Sequence, residues 1–381
     1  MNKVYIAGGM RTHIGLKNGI FKNIPAEQLA AALLMKLVSQ YQLAEPDEII
    51  CGNAVGTGGN ITRLMALEAG IAASVPCLTI DMQCASAAEA IAIAIAKIKA
   101  GMAEVIIAGG FESSSMQPTR VYCPRDERYT PEGFTVAQFT PETTSATAML
   151  EGAERTASQE GITRAELDKY VVRSHAMARQ ARESKILEPF IASVWGSTKD
   201  EGIRDRMSER LAAKMPLLLG PNTTLTAANA CLINDGAAFV IVASERWLQE
   251  HGTDNLYPRA ELVTAVEGGV EANCSPRGAL AVGNLLLERE HLSAEQIDAF
   301  EYNEAFAVIT AMFAREYPQL LPRYNQLGGA LAYGHPYGAS GAILVLHLLA
   351  ELEQTQGDYG LVAIAGAGGL GTALLLKRVT A

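Results

Sequence analysis

The chain has 381 residues, of which 49% are hydrophobic and 19% charged. Such a chain is long enough for two or three packed units and too apolar to be disordered. Its 31 basic and 41 acidic residues give a net charge of −10, which argues against nucleic acid or an anionic membrane as a partner. Neither a signal peptide nor an apolar run long enough to span a bilayer is recognised, so we expect a cytoplasmic protein.

The first part of the chain alternates short apolar runs with longer helical patterns. Leu29, Leu33 and Leu37 recur every four residues behind Pro25, which suits the first turn of a helix. The patterns predict strands at Val4–Ala7, Glu48–Gly52, Cys77–Met82 and Val105–Ala108, and helices at Pro25–Gln40 and Ser86–Ala100.

The alternation of apolar runs and helical patterns stops at Gln117–Thr144, where four prolines among charged residues predict a long surface excursion. A capping-box pattern at Thr163–Glu166 then starts a helix. Core character returns with a strand at Ala237–Val242, and strands and helices alternate to Val379. This alternation predicts an α/β protein with a mostly parallel sheet.

The two ends of the chain resemble each other. Asp47–Asn53 (DEIICGN) is echoed by Asp298–Asn303 (DAFEYN), and Val105–Gly110 (VIIAGG) by Val362–Gly369 (VAIAGAGG). Between the two motifs of each half, a segment of small residues begins an apolar helix, Ala85–Ala88 in the first half and Ala339–Ala342 in the second. We interpret this as a duplicated unit, whose two helix N-termini would meet across a pseudo-twofold axis. The predicted units are residues 1–116 with 235–250, an inserted domain of residues 117–234, and residues 251–381.

Two residues have the properties of a nucleophile and its base. Cys84 lies between a strand and an apolar helix, where backbone N–H groups and the helix dipole favour a thiolate. His335 is flanked by Gly334 and Gly338 and precedes the equivalent helix of the second unit. A Cys–His pair is a common nucleophile and base, although a buried cysteine and a loop histidine are the simpler alternatives.

Asn303 follows a predicted strand end, where its amide could hold a water or an oxyanion or merely cap a helix. Gly366, Gly368 and Gly371 match the dinucleotide-binding spacing, but only ten residues remain after them. That fingerprint requires a following helix and a further strand, so we reject it. The six cysteines form no C-x-x-C pair and predict neither a zinc site nor a disulfide framework.

Taken together, these segments resemble the thiolase family along nearly the whole chain. Five ordered motifs carry the resemblance. They are Asp81–Ala87 (DMQCASA), Gly109–Ser113 (GGFES), Asn229–Ala237 (NACLINDGA), Asn303–Ala307 (NEAFA) and Gly334–Gly341 (GHPYGASG).

The resemblance implies a five-layered αβαβα fold of two similar halves with an inserted loop domain, assembled as a homodimer or a dimer of dimers. It implies that coenzyme A thioesters are the substrates and that no cofactor or metal is needed. In this reading His335 activates Cys84, which takes an acyl group from a thioester. Backbone N–H groups of Cys84 and of the loop Gly366, Ala367 and Gly368 would hold the oxyanion, and Asn303 would hold a water that helps to stabilise the enolate.

This chain departs from the thiolase pattern at the last glycine loop. Thiolases have a second cysteine there, which moves the proton at the α-carbon, whereas this chain has Ala365. Cys231 and Leu232 replace the usual Ser-Gly beside the pantetheine arm, and Ala148-Met149 replaces the His-Met of many members. Leu232 should narrow the tunnel and favour short acyl groups. Cys231 could supply the missing thiol, although we favour a packing role because most buried cysteines are inert.

Three functions are compatible with this pattern. The first is an acyl-CoA C-acyltransferase that works through acyl-Cys84 and uses another group in place of the missing thiol. The second is an acyl-transfer or thioester-hydrolysing enzyme without carbon–carbon chemistry. The third, a non-catalytic acyl-CoA-binding subunit, would not need Cys84, His335 and Asn303 together. We predict the first.

Overall fold

The computed structural model describes residues 3–141 and 145–379. Within these ranges the strands are β1 (Val4–Thr12), β2 (Gly15–Leu16), β3 (Glu48–Gly52), β4 (Cys77–Ile80), β5 (Val105–Ser113), β6 (Ile191–Ala192), β7 (Asn234–Ser244), β8 (Ala260–Gly269), β9 (Ala299–Tyr302), β10 (Tyr359–Gly366) and β11 (Leu370–Arg378). The helices are α1 (Ala26–Tyr41), α2 (Ile61–Glu68), α3 (Ser86–Lys99), α4 (Ala148–Gln159), α5 (Arg164–Ser184), α6 (Glu209–Ala212), α7 (Glu245–His251), α8 (Arg277–Arg289), α9 (Ala307–Glu316), α10 (Ala330–Tyr333) and α11 (Ser340–Thr355).

The main strands are hydrogen-bonded in the order β4-β3-β5-β7-β1-β8-β11-β10-β9. The prediction of a mostly parallel sheet is wrong, because only β4 with β3, β3 with β5 and β10 with β9 run parallel along this path. The other neighbours are antiparallel. Parallel neighbours need a crossover such as α2 between β3 and β4, whereas β10 returns directly as β11 through a glycine turn.

The strand order is mirrored about the centre of the path, which confirms the duplication inferred from the sequence. From the centre outward, one half reads β1, β7, β5, β3 and the other β8, β11, β10, β9. The halves meet where Ile6 of β1 pairs with Ala260 of β8. Beyond β3 lies β4, and beyond β9 an isolated parallel bridge joins Phe300 to Tyr324 in the corresponding place. The unit boundaries at residues 116, 234 and 250 stay a prediction.

Successive residues along a strand point to opposite faces of the sheet. One face of each half-sheet packs in a central hydrophobic cluster and the other in an outer cluster, which produces five layers. In β5, Ile106 packs in a central cluster with α3 and α11, whereas Val105 and Ile107 pack in an outer cluster with α1 and α2. In β11, Leu374 joins the central cluster and Leu375 an outer cluster with α8 and α9. The layers are therefore helices, half-sheet, the central helices α3 and α11, half-sheet, and helices, as the predicted αβαβα fold requires.

The segment inserted between β5 and β7 contains α4, α5 and α6. The Thr163 hydroxyl accepts a hydrogen bond from the Glu166 N–H at the start of α5, as the capping pattern predicted. The predicted surface excursion has no helix or extended strand over residues 117–141, and residues 142–144 lie outside the described ranges. In the described part of the chain, no helix combines the length and the apolar character needed to cross a membrane.

Two fully buried carboxyl groups face each other beneath the ends of β9 and α11. Glu301 lies on β9 and Glu351 on α11, and apart from Glu351 no described group is a hydrogen-bond partner of either oxygen of Glu301. Burial, followed by the charge of Glu351, raises the pKa of Glu301 well above its ordinary value. Burial also raises the pKa of Glu351, to about 7. We infer that the two groups share a proton, since two buried carboxylates would repel.

This pair should make the protein less stable as the pH rises. The folded state binds protons more tightly than the unfolded state, so the stabilisation is complete below about pH 4.5 and is lost as the pH rises through about 7. We expect the free energy of unfolding to fall by on the order of 2 kcal/mol between pH 5 and pH 8 because of this pair. Glu301→Gln should flatten that slope in denaturant titrations, whereas the exposed Glu353→Gln should not. Equal slopes for wild type and Glu301→Gln would contradict the shared proton.

Candidate active site

Cys84 lies on a tight turn between β4 and α3. Gln83, immediately before it, adopts a left-handed conformation with φ of 53°, which is unusual for a residue with a side chain. The turn is fixed by Ser86, whose hydroxyl accepts from the Met82 N–H at 2.8 Å and donates to the Gln83 carbonyl at 2.6 Å. The thiol is therefore held just before the first turn of α3, as the sequence predicted.

Burial dominates the chemistry of this thiol. It raises the pKa of Cys84 to about 12, with the Glu112 carboxylate contributing in the same direction. A backbone N–H bond at Cys84 acts in the opposite direction but does not offset burial. Burial therefore opposes the thiolate that the helix N-terminus favours, and a base is needed to deprotonate the thiol during the reaction.

His335 is placed by hydrogen bonds that its backbone N–H donates to Leu232 and Asn234, where β7 begins. Its N–H donates to the Asn234 amide oxygen at 2.9 Å and to the Leu232 carbonyl at 3.2 Å. A side chain at Gly334 would collide with the Asn234 amide, and Gly334 has a φ of 101°. The glycine before His335 is thus required for the loop to reach this position.

The hydrogen bonds of the imidazole define which nitrogen carries the proton. The Ser340 hydroxyl donates its proton to the Pro336 carbonyl at 2.9 Å, so it accepts from Nδ1–H of His335 at 2.5 Å. Nε2 is then unprotonated and accepts a hydrogen bond from Nδ2 of Asn303 at 3.2 Å. Burial lowers the pKa of His335 to about 3. The ring is therefore a neutral imidazole at neutral pH, with Nε2 available as a base.

The His335 loop packs directly on the strand ends of the first half. A methyl group at Gly110 would lie 1.8 Å from the Gly338 carbonyl oxygen, and one at Gly52 would lie 2.7 Å from it. One turn further, a methyl group at Gly341 of α11 would lie 2.3 Å from the backbone nitrogen of Ala88 in α3. The helix N-termini of the two halves are therefore in backbone contact, as the duplication predicted.

Glu112 joins the two halves at this contact, and the sequence reasoning did not identify it. Its carboxyl group accepts hydrogen bonds from the backbone N–H groups of Ala54, Val55 and Gly338 and from the amide of Asn53, at 2.9–3.2 Å. Burial nevertheless raises its pKa to about 7. A signal was present in the sequence, because a glutamate directly follows the apolar residues 105–111 at the end of a strand.

The last glycine loop lies against the turn that carries Cys84. Gly366 ends β10, and a methyl group there would lie 3.0 Å from the Met82 carbonyl oxygen. Ala365 and Ala367 are buried, and Gly368 is left-handed with a φ of 84°. Because β10 and β11 form an antiparallel hairpin around this loop, with no helix following in the described residues, the rejected dinucleotide fingerprint is indeed absent.

Cys231 and Leu232 lie between the Asn303 and His335 loops. The N–H of Cys231 donates to the Ala305 carbonyl at 2.9 Å, and the carbonyl of Leu232 accepts from His335. Burial raises the pKa of Cys231, and the charge of Cys84 adds to the effect, so the two thiols are within electrostatic range.

The remaining predicted pocket residue, Met149, lies in α4. It packs partly buried against the core of the second half and lines a narrow cleft that Gly368 and the Phe139 segment also line. The structure thus brings Cys84, His335, Asn303, Cys231, Leu232 and Gly366 together and places Met149 beside Gly368.

The neutral thiol makes a prediction for alkylation. Since burial raises the pKa of Cys84 to about 12, its thiolate fraction should increase about tenfold per pH unit. The rate of iodoacetamide alkylation at Cys84, followed by peptide mass spectrometry, should rise log-linearly from pH 7 to pH 9. A plateau near pH 8 would show that the free protein holds a thiolate-forming cysteine instead.

Residues 4–246 match the profile described as "Thiolase, N-terminal domain" and residues 256–378 match "Thiolase, C-terminal domain". YhfS of Bacillus subtilis, provisionally named an acetyl-CoA C-acetyltransferase, is 36% identical over 99% of both chains. VraB of Staphylococcus aureus, with the same provisional name, is 34% identical over 99% of this chain and 100% of its own.

Two solved structures also resemble this fold. The acetyl-CoA acetyltransferase of Bacillus anthracis superposes with a TM-score of 0.91 at 29% identity, over 100% of this chain and 99% of its own. The human mitochondrial 3-ketoacyl-CoA thiolase in complex with CoA superposes with a TM-score of 0.89 at 27% identity, over 100% and 98%.

Proposed function

The chain belongs to the thiolase family and is an acyltransferase of the thiolase type, and we propose that it transfers short acyl groups between CoA thioesters through acyl-Cys84. The reaction is cleavage of a 3-ketoacyl-CoA by CoA, or the reverse condensation of two acyl-CoA molecules. The observation that carries the proposal is the meeting of the two helix N-termini, where Nε2 of His335 faces Asn303 beside the turn of Cys84.

In the direction of cleavage, His335 takes the proton of Cys84 and the thiolate attacks the ketone carbon. Backbone N–H groups of Cys84 and of the loop Gly366, Ala367 and Gly368 hold the oxyanion. The glycine loop contacts the Cys84 turn, which supports this role. The buried, neutral state of both His335 and Cys84 means that charge develops only when substrate excludes water and the oxyanion holes are occupied.

Collapse of the tetrahedral adduct breaks the carbon–carbon bond and releases the enolate of acetyl-CoA. His335, with a water on Asn303, stabilises the enolate oxygen. CoA then attacks acyl-Cys84 and carries the acyl group away. Leu232 stands where thiolases usually have glycine, and its carbonyl is fixed by His335. A side chain at this point supports the proposal of short acyl groups. The cytoplasmic location and the absence of a cofactor stay predictions.

The proposal is tested by CoA-dependent cleavage of acetoacetyl-CoA, measured as acetyl-CoA formed. We expect turnover in the wild type and a loss on the order of 10⁴-fold or more in Cys84→Ala, because the covalent route is removed. Cys123→Ala, which alters an exposed thiol, is the matched control and should keep full activity. Wild-type protein that becomes acylated at Cys84 without cleaving acetoacetyl-CoA would support the acyl-transfer or hydrolase alternative instead.

We propose further that two copies pair through β4. This strand ends the sheet order, so its outer edge has no strand partner within the described chain. Leu78 on β4 and Leu64 and Leu67 on α2 are 39–52% exposed. An unpaired edge beside exposed leucines is a surface that a symmetric dimer covers.

Leu78→Arg should disrupt this pairing, because two arginines would be buried near the twofold axis. Light scattering should then show a monomer where the wild type shows a dimer or a dimer of dimers. Met102→Arg changes a 72% exposed side chain beyond the end of α3 and should leave the assembly unchanged. A dimeric Leu78→Arg protein would rule out this edge as the interface.

A further inference from the structure

The proposed cleavage needs a proton that the described catalytic groups do not supply. When the carbon–carbon bond breaks, its electron pair forms an enolate whose α-carbon must gain a proton. Thiolases are expected to use a cysteine at the position of Ala365, and a methyl group cannot serve. His335 is occupied by the enolate oxygen. An additional donor must therefore face Cys84, and this inference rests on the proposed function.

Glu112 and Cys231 are both near Cys84, but their surroundings argue against this role. The Glu112 carboxyl group is fully buried and already accepts hydrogen bonds from Asn53, Ala54, Val55 and Gly338. Cys231 packs with the core of the second half, whereas Cys84 belongs to the central core. A donor that packs with Cys84 and is otherwise unoccupied fits better.

Tyr337 has these properties. It follows His335 by two residues and begins the 3-10 turn that leads into α11. Its ring meets the His335 imidazole edge to face, with centroids 5.0 Å apart and an interplanar angle of 84°. It is partly exposed and packs against the central core that contains Cys84. No hydrogen bond joins its hydroxyl to another described residue, so the O–H is not held by a protein acceptor.

The phenol of Tyr337 is close enough to Cys231 and Cys84 for their charges to affect its pKa. Burial raises the pKa of Tyr337 above its ordinary value, and the charges of Cys231 and Cys84 raise it further. A phenol with a raised pKa remains protonated at neutral pH, which an acid catalyst requires. The α-carbon of an enolate is a stronger base than a phenolate, so proton transfer from the tyrosine hydroxyl to that carbon is favourable.

We propose that the Tyr337 hydroxyl protonates the α-carbon of the leaving enolate, in place of the cysteine that Ala365 replaces. The O–H bond breaks, a C–H bond forms on acetyl-CoA, and a phenolate remains beside the imidazolium of His335, whose charge stabilises it. The phenolate then takes the proton of the incoming CoA thiol, which is more acidic than an ordinary tyrosine. The CoA sulfur attacks acyl-Cys84, and the released Cys84 thiolate regains its proton from His335. In condensation the same steps run in reverse.

Three assays on Y337F separate this role from a structural one. The first is acetoacetyl-CoA cleavage, and the second is deuterium incorporation into the methyl group of acetyl-CoA in D₂O. Both require proton transfer at the α-carbon. The third is transfer of an acetyl group from acetyl-CoA to isotopically labelled CoA, which requires acylation of Cys84 but no α-carbon chemistry. Phenylalanine keeps the ring against His335 and removes only the oxygen.

We expect Y337F to lose about 10²- to 10⁴-fold in cleavage and deuterium incorporation and to keep acetyl exchange within about threefold of the wild type. C123A, which alters an exposed thiol, should keep all three activities. A365C added to Y337F places a thiol where the family has one. The double variant should cleave acetoacetyl-CoA at least tenfold faster than Y337F.

Other outcomes overturn the inference in distinguishable ways. Y337F that cleaves as fast as the wild type excludes the phenol, and equal losses in all three assays make it a structural residue. A split between the assays in C231A but not in Y337F assigns the proton to Cys231. A wild type that exchanges acetyl groups but never cleaves acetoacetyl-CoA overturns the proposed function, and the inference with it.

Discussion

The site depends on one close backbone contact between the two halves of the chain. The carbonyl of Gly338 lies where a side chain at Gly52 or Gly110 would have to be, and the N–H of Gly338 is bound by Glu112. This contact fixes the His335 loop against the strand ends that flank the Cys84 turn. Glycine is required at all three positions because each approach is backbone to backbone. The site therefore exists only where the duplicated halves meet, and neither half contains it alone.

The same contact explains the electrostatic character of the site. Burial raises the pKa of Cys84 and lowers that of His335, which favours the neutral form of both groups, although a reactive cysteine is commonly expected to be ionised. Reactivity then comes from the arrangement of the groups when substrate is bound rather than from a resident thiolate. A neutral thiol in the free protein is also less exposed to adventitious oxidation, since oxidation requires thiolate character and access.

Much of this arrangement followed from the sequence. The bounds of α1, α3 and β3 agree with the predictions to within one residue, because Leu29 and its repeats and the apolar run after Cys84 are strong periodic signals. The duplication was visible as repeated motifs. The prediction of a mostly parallel sheet was wrong because strand direction depends on how the strands are connected. Hydrophobic periodicity does not reveal that β10 is followed directly by an antiparallel β11. Strands β1 and β5 extend further than predicted because their glycines were interpreted as strand ends, whereas Gly109 and Gly110 remain inside β5.

The ionisation of Cys84 could not be predicted from its neighbours along the chain. The helix N-terminus is a local feature, whereas burial and the Glu112 charge come from residues brought together by the fold. The role of Tyr337 could not be predicted for the same reason. Its contact with His335 joins residues two positions apart, but its proximity to Cys84 is produced by the fold.

The place of β1 in the sheet has a consequence for how the protein is made. All nine residues of β1 are buried, yet its two long partners, β7 and β8, begin at residues 234 and 260. A ribosome adding about 5–20 residues per second needs about 10–50 seconds to reach them. During that time an apolar strand near the N-terminus has no sheet to join, and the contacts that complete the fold are long-range and slow to form. Nascent chains should therefore depend on chaperone binding at this strand until the first half closes around it.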